Sequence, residues 1–299
     1  MSGLNRLVPH NIYLVRFRNP GLDEWCADPA MKQIWPTLVT TFWLAYVIGT
    51  LVLVVFVQLT GIISGKLLLP LTTIVFFLFS LTHAIYYLGR RNAALLFSSI
   101  FVVSLFFESI NLISGGWVFG PLTYTHKLGI KVFELVPVLI PVTWFTVGYL
   151  SLLIAKRMLG REQITPGGIF KQALLAAVIM TAWDLGMDPM MVHKQYWIWK
   201  VNGYYFGIPL QNYLGWLVTA FCFYVTYFAI TRRWHAAPLG PITRQMTLLP
   251  PLAYMLMWLS TTIVNLDLGL TSAGIVGFIA MGFFTLVWLG KVYKGHPTL

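Results

Sequence analysis

The chain has 299 residues, of which 58% are hydrophobic and only 10% are charged, and its mean hydropathy is +0.76. Soluble domains carry about 25% charged residues, so the composition excludes an ordinary soluble protein and predicts an all-α, polytopic membrane helical bundle. The formal net charge is +11, but the basic residues are spread over many short loops. We therefore expect them to contact anionic lipid headgroups and not nucleic acid.

About eight transmembrane helices are predicted, because a span needs about 20 apolar residues to cross about 30 Å of hydrocarbon. The candidate spans are 37–59, 67–88, 94–113, 132–155, 170–187, 210–230, 247–264 and 272–289. They divide the chain into an N-terminal arm at 1–36, a single transmembrane domain at 37–290 and a tail at 291–299. The N-terminus lacks the short apolar core and cleavage site of a signal peptide.

The lysine and arginine residues predict the orientation, because cytoplasmic loops are enriched in them. With eight spans, 15 of these residues fall on the side of the two termini and 5 on the other side. We therefore expect a multi-pass protein of the cell membrane with both termini in the cytoplasm. The loops at 114–131 and 188–209 then lie outside.

Two stretches, 107–124 and 182–216, contain the polar residues that are candidates for taking part in a reaction. Each begins with carboxyl groups near the end of an apolar segment and continues into a loop rich in glycine, proline and aromatic residues. The chain has only nine acidic residues, and three of them, Glu108, Asp184 and Asp188, lie here. With this orientation, all three lie near the outer face of the membrane.

These three carboxyl groups are the candidate catalytic residues. A carboxyl group inside a span is costly and usually faces the interior of the bundle. Glu108 and Asn111 share a helix face, and so do Asp184 and Asp188 if that helix continues to Pro189. Removal from water favours the protonated form that a Brønsted acid needs. The alternatives are that Glu108 and Asp184 bond helix ends or pair with a lysine, and that Asp188 caps the loop.

The polar and aromatic residues around these carboxyls are candidates for binding a substrate. They are Asn111, Trp117, Phe119, Tyr124, Trp183, Trp197, Trp199, Tyr204, Tyr205, Asn212 and Trp216. An interfacial aromatic belt accounts for any one aromatic residue among them. As a group between acidic helix ends, the aromatic residues instead suggest a pocket, and aromatic faces stabilise cations.

Metal binding by the acids together with His126 and His193 is the competing interpretation. No pair of these residues has a recognised ligand spacing, so we expect no metal and no other cofactor. His83 lies near the inner end of the second span and is expected to be a hydrogen-bonded histidine of the bundle. Asp267 either caps the turn before the last span or completes the acid cluster.

The two stretches resemble the integral-membrane carotenoid hydratases, which include carotenoid 1,2-hydratases and bisanhydrobacterioruberin hydratases. The resemblance covers about residues 80–220. It is carried by Glu108, the loop from Gly116 to Tyr124, Leu128-Gly129, Val136-Pro137, Ile140-Pro141, Trp144 and the block from Trp183 to Trp216. The loop departs from the family pattern at Val118, where proline is usual, and at Pro121-Leu122, where a polar residue and tyrosine are usual. These residues face the expected site, so the departures bear on which substrate binds there.

The resemblance implies hydration of the terminal C1=C2 double bond of a lipophilic acyclic carotenoid or polyprenoid. Protonation at C2 gives a tertiary cation at C1, and water captures that cation, so no redox cofactor is needed. A membrane terpene or carotenoid cyclase shares the protonation step but excludes water. A proton-coupled transporter also places acids in helices, but acids gathered at one face make no path across the membrane.

Overall fold

The computed structural model describes residues 29–62, 65–160, 165–232 and 237–293 and is almost entirely helical in those ranges. Its long helices are α1 (Pro29–Val52, continued by π-helical turns over Leu53–Leu59), α2 (Gly65–Leu88), α3 (Arg90–Ile113), α4 (Leu139–Leu159), α5 (Pro166–His193), α6 (Leu210–Thr231), α7 (Arg244–Asp267) and α8 (Thr271–Tyr293). Eight helices in these ranges are long and apolar enough to cross a membrane. The predicted all-α membrane bundle with eight spans is confirmed.

Helix α5 lies at the centre of the bundle. It packs against α4, α6, α7 and α8, while α3 packs against α6 and α2 packs against α4. The buried core therefore includes most of one face of α4 and α5, and the outer faces of α1 and α8 stay exposed to lipid.

Three predicted boundaries differ from the structure by more than four residues. Helix α1 begins at Pro29, inside the predicted N-terminal arm, whose residues 1–28 lie outside the described ranges. The fourth span begins at Leu139 and not at 132, because 131–137 forms a small hairpin of β2 (Lys131–Val132) and β3 (Val136–Pro137). Proline disfavours helical backbone in the residue before it, so the helix starts only after Pro137.

The fifth span continues past Pro189 to His193, whereas the predicted span stopped at 187. Proline has no backbone N–H, so Pro189 leaves the carbonyl of Leu185 without its helical partner. The hydroxyl of Tyr205 donates a hydrogen bond to this carbonyl at 2.9 Å. A side chain from the following loop therefore satisfies the group that the proline exposes, and the helix carries Asp188 into the bundle.

Helix α7 contains the same arrangement at the opposite end of the bundle. Pro250 frees the carbonyl of Met246, and Nε2 of His83 lies 2.8 Å from that oxygen. Nδ1 of His83 lies 2.6 Å from the hydroxyl of Tyr149. A neutral imidazole that donates from Nε2 and accepts at Nδ1 satisfies both contacts. His83 is therefore a hydrogen-bonded histidine of the core, as predicted.

Candidate active site

The two polar stretches meet in a short antiparallel ladder at one end of the bundle. Strand β1 (Leu122–Tyr124) pairs with β4 (Trp197–Trp199), so that Leu122 lies opposite Trp199 and Tyr124 lies opposite Trp197. Side chains alternate along a strand. These four side chains therefore share the face that covers the bundle, and the rings of Tyr124 and Trp197 meet edge-on at 6.1 Å.

Glu108 lies in α3 beneath this ladder and is 3% exposed. Its Oε2 accepts a hydrogen bond from the hydroxyl of Tyr124 at 2.8 Å, and its Oε1 accepts one from Nε1 of Trp144 at 3.3 Å. Ser104 and Asn111, on the same face of α3, are also buried. The face predicted from their spacing does point into the bundle.

Asn111 holds the loop that leads from α3 into β1. Its Oδ1 accepts hydrogen bonds from the backbone N–H groups of Val118 and Phe119, and its Nδ2 donates to the carbonyl of Gly120. Gly116 has a φ of +115°, and a Cβ atom there would lie 2.2 Å from the nitrogen of Pro121. The loop can close so tightly only with glycine at this position.

Asp184 and Asp188 lie one turn apart in α5, both buried, and share a single amide. Nδ2 of Asn212 donates to Oδ2 of Asp184 at 2.9 Å and to Oδ2 of Asp188 at 2.8 Å. Nε1 of Trp197 donates to Oδ1 of Asp188 at 2.6 Å. Oδ1 of Asp184 is buried and has no hydrogen-bond partner in the described part of the chain. The two carboxyls are thus held unequally.

Tyr124 connects Glu108 with the aspartate pair. The pKa of the Tyr124 hydroxyl is raised well above its usual value. Burial is the largest cause, the negative charge of Glu108 is the next, and Asp188 and Asp184 have smaller effects. Tyr124 therefore stays a neutral hydrogen-bond donor. Only Glu108 bonds Tyr124 directly, and Asp188 is reached through Trp197, whose ring meets that of Tyr124. We call Glu108, Asp184 and Asp188 the acid group.

A cavity of about 970 Å³, counted with its open mouth, adjoins this group. Glu108 and Asp188 line it, whereas Asp184 does not. Much of its wall is aromatic: Phe119, Tyr124, Trp144, Trp183, Tyr196, Trp197, Trp199 and Trp216. The rings of Trp144 and Trp216 stack at 4.0 Å, and Trp183 meets Trp216 edge-on at 6.0 Å. A cation formed here would lie against several aromatic faces.

Comparison with known proteins identifies the family of the chain. Residues 66–284 match the model of a family described as "Carotenoid biosynthesis protein". The chain belongs to this family. It is also 30% identical, over 139 residues, to the bisanhydrobacterioruberin hydratase of the archaeon Haloarcula japonica. That alignment covers 46% of this chain and 46% of the relative, so the chain spans about half the length of the curated relative it matches. No solved structure matches the chain.

Within this carotenoid biosynthesis protein, the residues predicted to bind substrate fall into two groups. Phe119, Tyr124, Trp183, Trp197, Trp199, Asn212 and Trp216 line the cavity. Asn111, Trp117, Tyr204 and Tyr205 do not: Asn111 holds the loop and Tyr205 caps the carbonyl of Leu185, while Trp117 and Tyr204 are 73% and 95% exposed. Contact with substrate stays a prediction for both groups.

Sequence reasoning missed the ends of α2 and α4 that lie near the ladder, which also line the cavity through residues such as Leu69, Pro70, Thr73, Ile140 and Thr143. They are ordinary apolar and threonine positions of transmembrane helices. The sequence analysis named only the Ile140-Pro141 pair in these segments, as part of the family resemblance.

The other candidate residues at this end of the bundle, Asp267, His126 and His193, lie apart from the cavity. Asp267 accepts a hydrogen bond from Nε2 of Gln58 at 2.6 Å and is exposed. His126 and His193 are exposed as well. In the described ranges, no group of three or more His, Cys, Asp or Glu side chains is arranged to hold a metal ion.

Proposed function

We propose that this protein is a carotenoid hydratase that adds water to the terminal C1=C2 double bond of an acyclic end group. The observation that carries the proposal is the placement of Glu108 and Asp188 in one aromatic cavity, on two different helices. A hydration needs an acid for the alkene carbon and a base for the attacking water, and two carboxyl groups in different surroundings can divide these roles.

Glu108 is the proposed acid. It donates its proton to C2, and the electrons of the double bond form the new C–H bond and leave a tertiary cation at C1. The carboxylate that remains accepts hydrogen bonds from Tyr124 and Trp144. Donors that stabilise the charge developing on the acid lower the barrier to proton transfer. The stacked Trp144 and Trp216 rings are proposed to stabilise the cation.

Asp188 is the proposed base that orients water. Its Oδ1 and Oδ2 are fixed by Trp197 and Asn212, so the carboxyl is held in one orientation at the cavity wall. Water attacks C1 and forms the C–O bond, and the proton that it releases passes to the carboxylate. Asp184 accepts a hydrogen bond from the same Asn212 amide as Asp188. Two buried negative charges so close together repel each other, so Asp184 and Asp188 are proposed to share one proton.

The test is production of the protein in a host that makes lycopene, with pigments analysed by mass. Hydrated lycopene in the wild-type strain and its loss in a Glu108→Gln strain would support the proposal. The matched control is Glu134→Gln, because Glu134 lies exposed in the hairpin turn. Unchanged lycopene in the presence of inserted wild-type protein would contradict it.

The aromatic wall around Trp144, Trp183 and Trp216 also suits a cyclase, in which a neighbouring alkene captures the cation. The same pigment analysis separates the two reactions, because hydration adds the mass of water and cyclisation leaves the mass unchanged. A proton-coupled transporter has less support, because the three carboxyls gather at one end of the bundle. It would move a solute into vesicles without forming a product.

A further inference from the structure

The cavity has a buried end and a half-exposed end. Glu108, Asp188 and Trp144 are each at most 3% exposed. In contrast, the lining residues from the outer ends of α2, α4 and α5 are only half-buried. We call six of them the apolar rim: Leu69, Pro70, Thr73, Ile140, Met190 and Met191. The acid group therefore lies at the closed end, and the cavity meets its surroundings at the apolar rim and at the exposed Lys127.

The six residues of the apolar rim carry no charge. The exposed Lys127 also lines the cavity, and its Nζ donates a hydrogen bond to the carbonyl of Lys194. Leu69, Pro70 and Thr73 lie on one face of α2. The hydroxyl of Thr73 donates to the carbonyl of Leu69 in its own helix at 2.9 Å, so the hydroxyl proton is already engaged. Met190 and Met191 add flexible thioether side chains, which adapt to ligands of varied shape. The chemistry that fits such a surface is a hydrocarbon chain.

The volume of the cavity sets how much of a ligand it holds. The space inside this cavity that a water-sized sphere can reach is about 170 Å³, which is less than the about 300–1,000 Å³ of pockets that enclose a whole drug-sized molecule. A carotenoid is a long rod that dissolves in a hydrocarbon layer about 30 Å thick. The cavity therefore encloses one end of such a molecule, and the remaining chain must leave past the half-exposed residues.

We propose that the apolar rim is a binding subsite for the polyene chain behind the reacting end group. This inference rests on the proposed function and adds a determinant of specificity to it. Binding of the chain at the apolar rim aligns the end group with the carboxyls, so long acyclic substrates are preferred over short ones with the same end. It also makes the enzyme act on one end of a molecule at a time.

The experiment compares a long and a short substrate in purified, full-length protein. Lycopene is the long probe, and geranylacetone, a short acyclic ketone with the same terminal double bond, is the short one. Met190→Trp and Thr73→Trp each fill the apolar rim from a different helix. Ile74→Trp is the matched control, because Ile74 is on α2 but faces lipid and is 44% exposed.

We expect both rim variants to lose at least about tenfold in kcat/KM for lycopene, which corresponds to about 1.4 kcal/mol. Their kcat/KM for geranylacetone should stay within about twofold of wild type, and Ile74→Trp should match wild type on both substrates. If one rim variant fails to insert, the other decides. The kcat/KM values are measured per mole of inserted, folded protein, so that a folding defect does not count as a loss of activity.

Three results would overturn the inference. They are equal losses on both substrates, no loss on either, and a wild-type enzyme that converts geranylacetone as efficiently as lycopene. Failure of the proposed function gives a different result, because the wild-type protein would then hydrate neither probe, and the subsite would fall with it.

Discussion

The hydroxyl of Tyr124 donates a hydrogen bond to Oε2 of Glu108 across 2.8 Å, from a strand to a membrane helix. The pKa of Tyr124 is raised by burial and by the neighbouring carboxylates, so this hydroxyl remains a donor over the usual pH range. Tyr124→Phe removes one of two donors to the proposed acid and leaves the ring in place. We expect hydration to fall by roughly 10- to 100-fold, since a hydrogen bond to a charged group contributes about 1.5–3 kcal/mol.

The measurement for Tyr124→Phe is the rate of hydrated product formation in purified protein, normalised to inserted protein. Tyr86→Phe is the control, because its hydroxyl bonds the carbonyl of Pro241 at the other end of the bundle. Equal rates for Tyr124→Phe and wild type would show that this donor plays no part in the reaction.

Glu108→Gln removes the proton that the proposed acid must give, while the amide still offers an oxygen to Tyr124 or Trp144. We expect hydration to fall by about 10²-fold or more, the usual scale of general acid–base catalysis. The thermal stability of the inserted protein should change little, because the side chain keeps its size. Wild-type turnover by Glu108→Gln, measured beside Glu134→Gln, would remove Glu108 from the mechanism.

Tyr205→Phe tests whether the Tyr205 hydroxyl stabilises helix α5 or binds the substrate. Loss of the hydrogen bond leaves the partly buried carbonyl of Leu185 unsatisfied, and an unsatisfied buried acceptor costs about 1–3 kcal/mol. Pro189→Ala restores a backbone N–H to that carbonyl. We therefore expect a clear loss of thermal stability for Tyr205→Phe alone and a smaller one in the Pro189→Ala background. The same loss in both backgrounds, or lost activity at unchanged stability, would contradict this role.

The sequence alone was sufficient for the eight spans and for the inward face of Glu108, because long apolar segments and helical spacing are strong local signals. It was insufficient for the pairing of Leu122–Tyr124 with Trp197–Trp199. Strands of three residues carry little pattern, and their partners lie far apart in the chain. Asp188 was placed near a loop because Pro189 is expected to end a helix. The contact that lets the helix continue comes from Tyr205, which no local rule reveals.

The orientation of the bundle is still a prediction from the distribution of lysine and arginine. Cysteines at Ile130 and Asn202 test one end, because both residues are exposed. Gly167 tests the other end, since it is exposed and a Cβ atom there meets nothing within 4 Å. In a background with Cys26 and Cys222 replaced by serine, an impermeant thiol reagent should label the first two in intact cells. Labelling of Gly167→Cys alone would invert the model.

The last prediction concerns water as the second substrate. Once a cation forms at C1, its fate depends on the nearest base and the nearest water. Asp188 lines the cavity and is bound by Trp197 and Asn212, whereas Asp184 does not line it. The two residues therefore form a matched pair of substitutions within one helix, and they should have different consequences.

Asp188→Asn should still allow protonation by Glu108, but the cation should more often lose a proton or cyclise. We expect less tertiary alcohol and more isomerised or cyclised hydrocarbon. Deuterium from the solvent should still be found at C2 of the products or in the recovered substrate, because protonation continues. Asp184→Asn lowers the rate, by roughly 10²-fold or more if the shared proton is needed, but should leave the ratio of alcohol to hydrocarbon unchanged. Mass analysis of pigments made in deuterated water measures both quantities. An Asp188→Asn protein that incorporates no deuterium would move Asp188 to the protonation step, and a fully active one would leave it as a structural partner of Trp197.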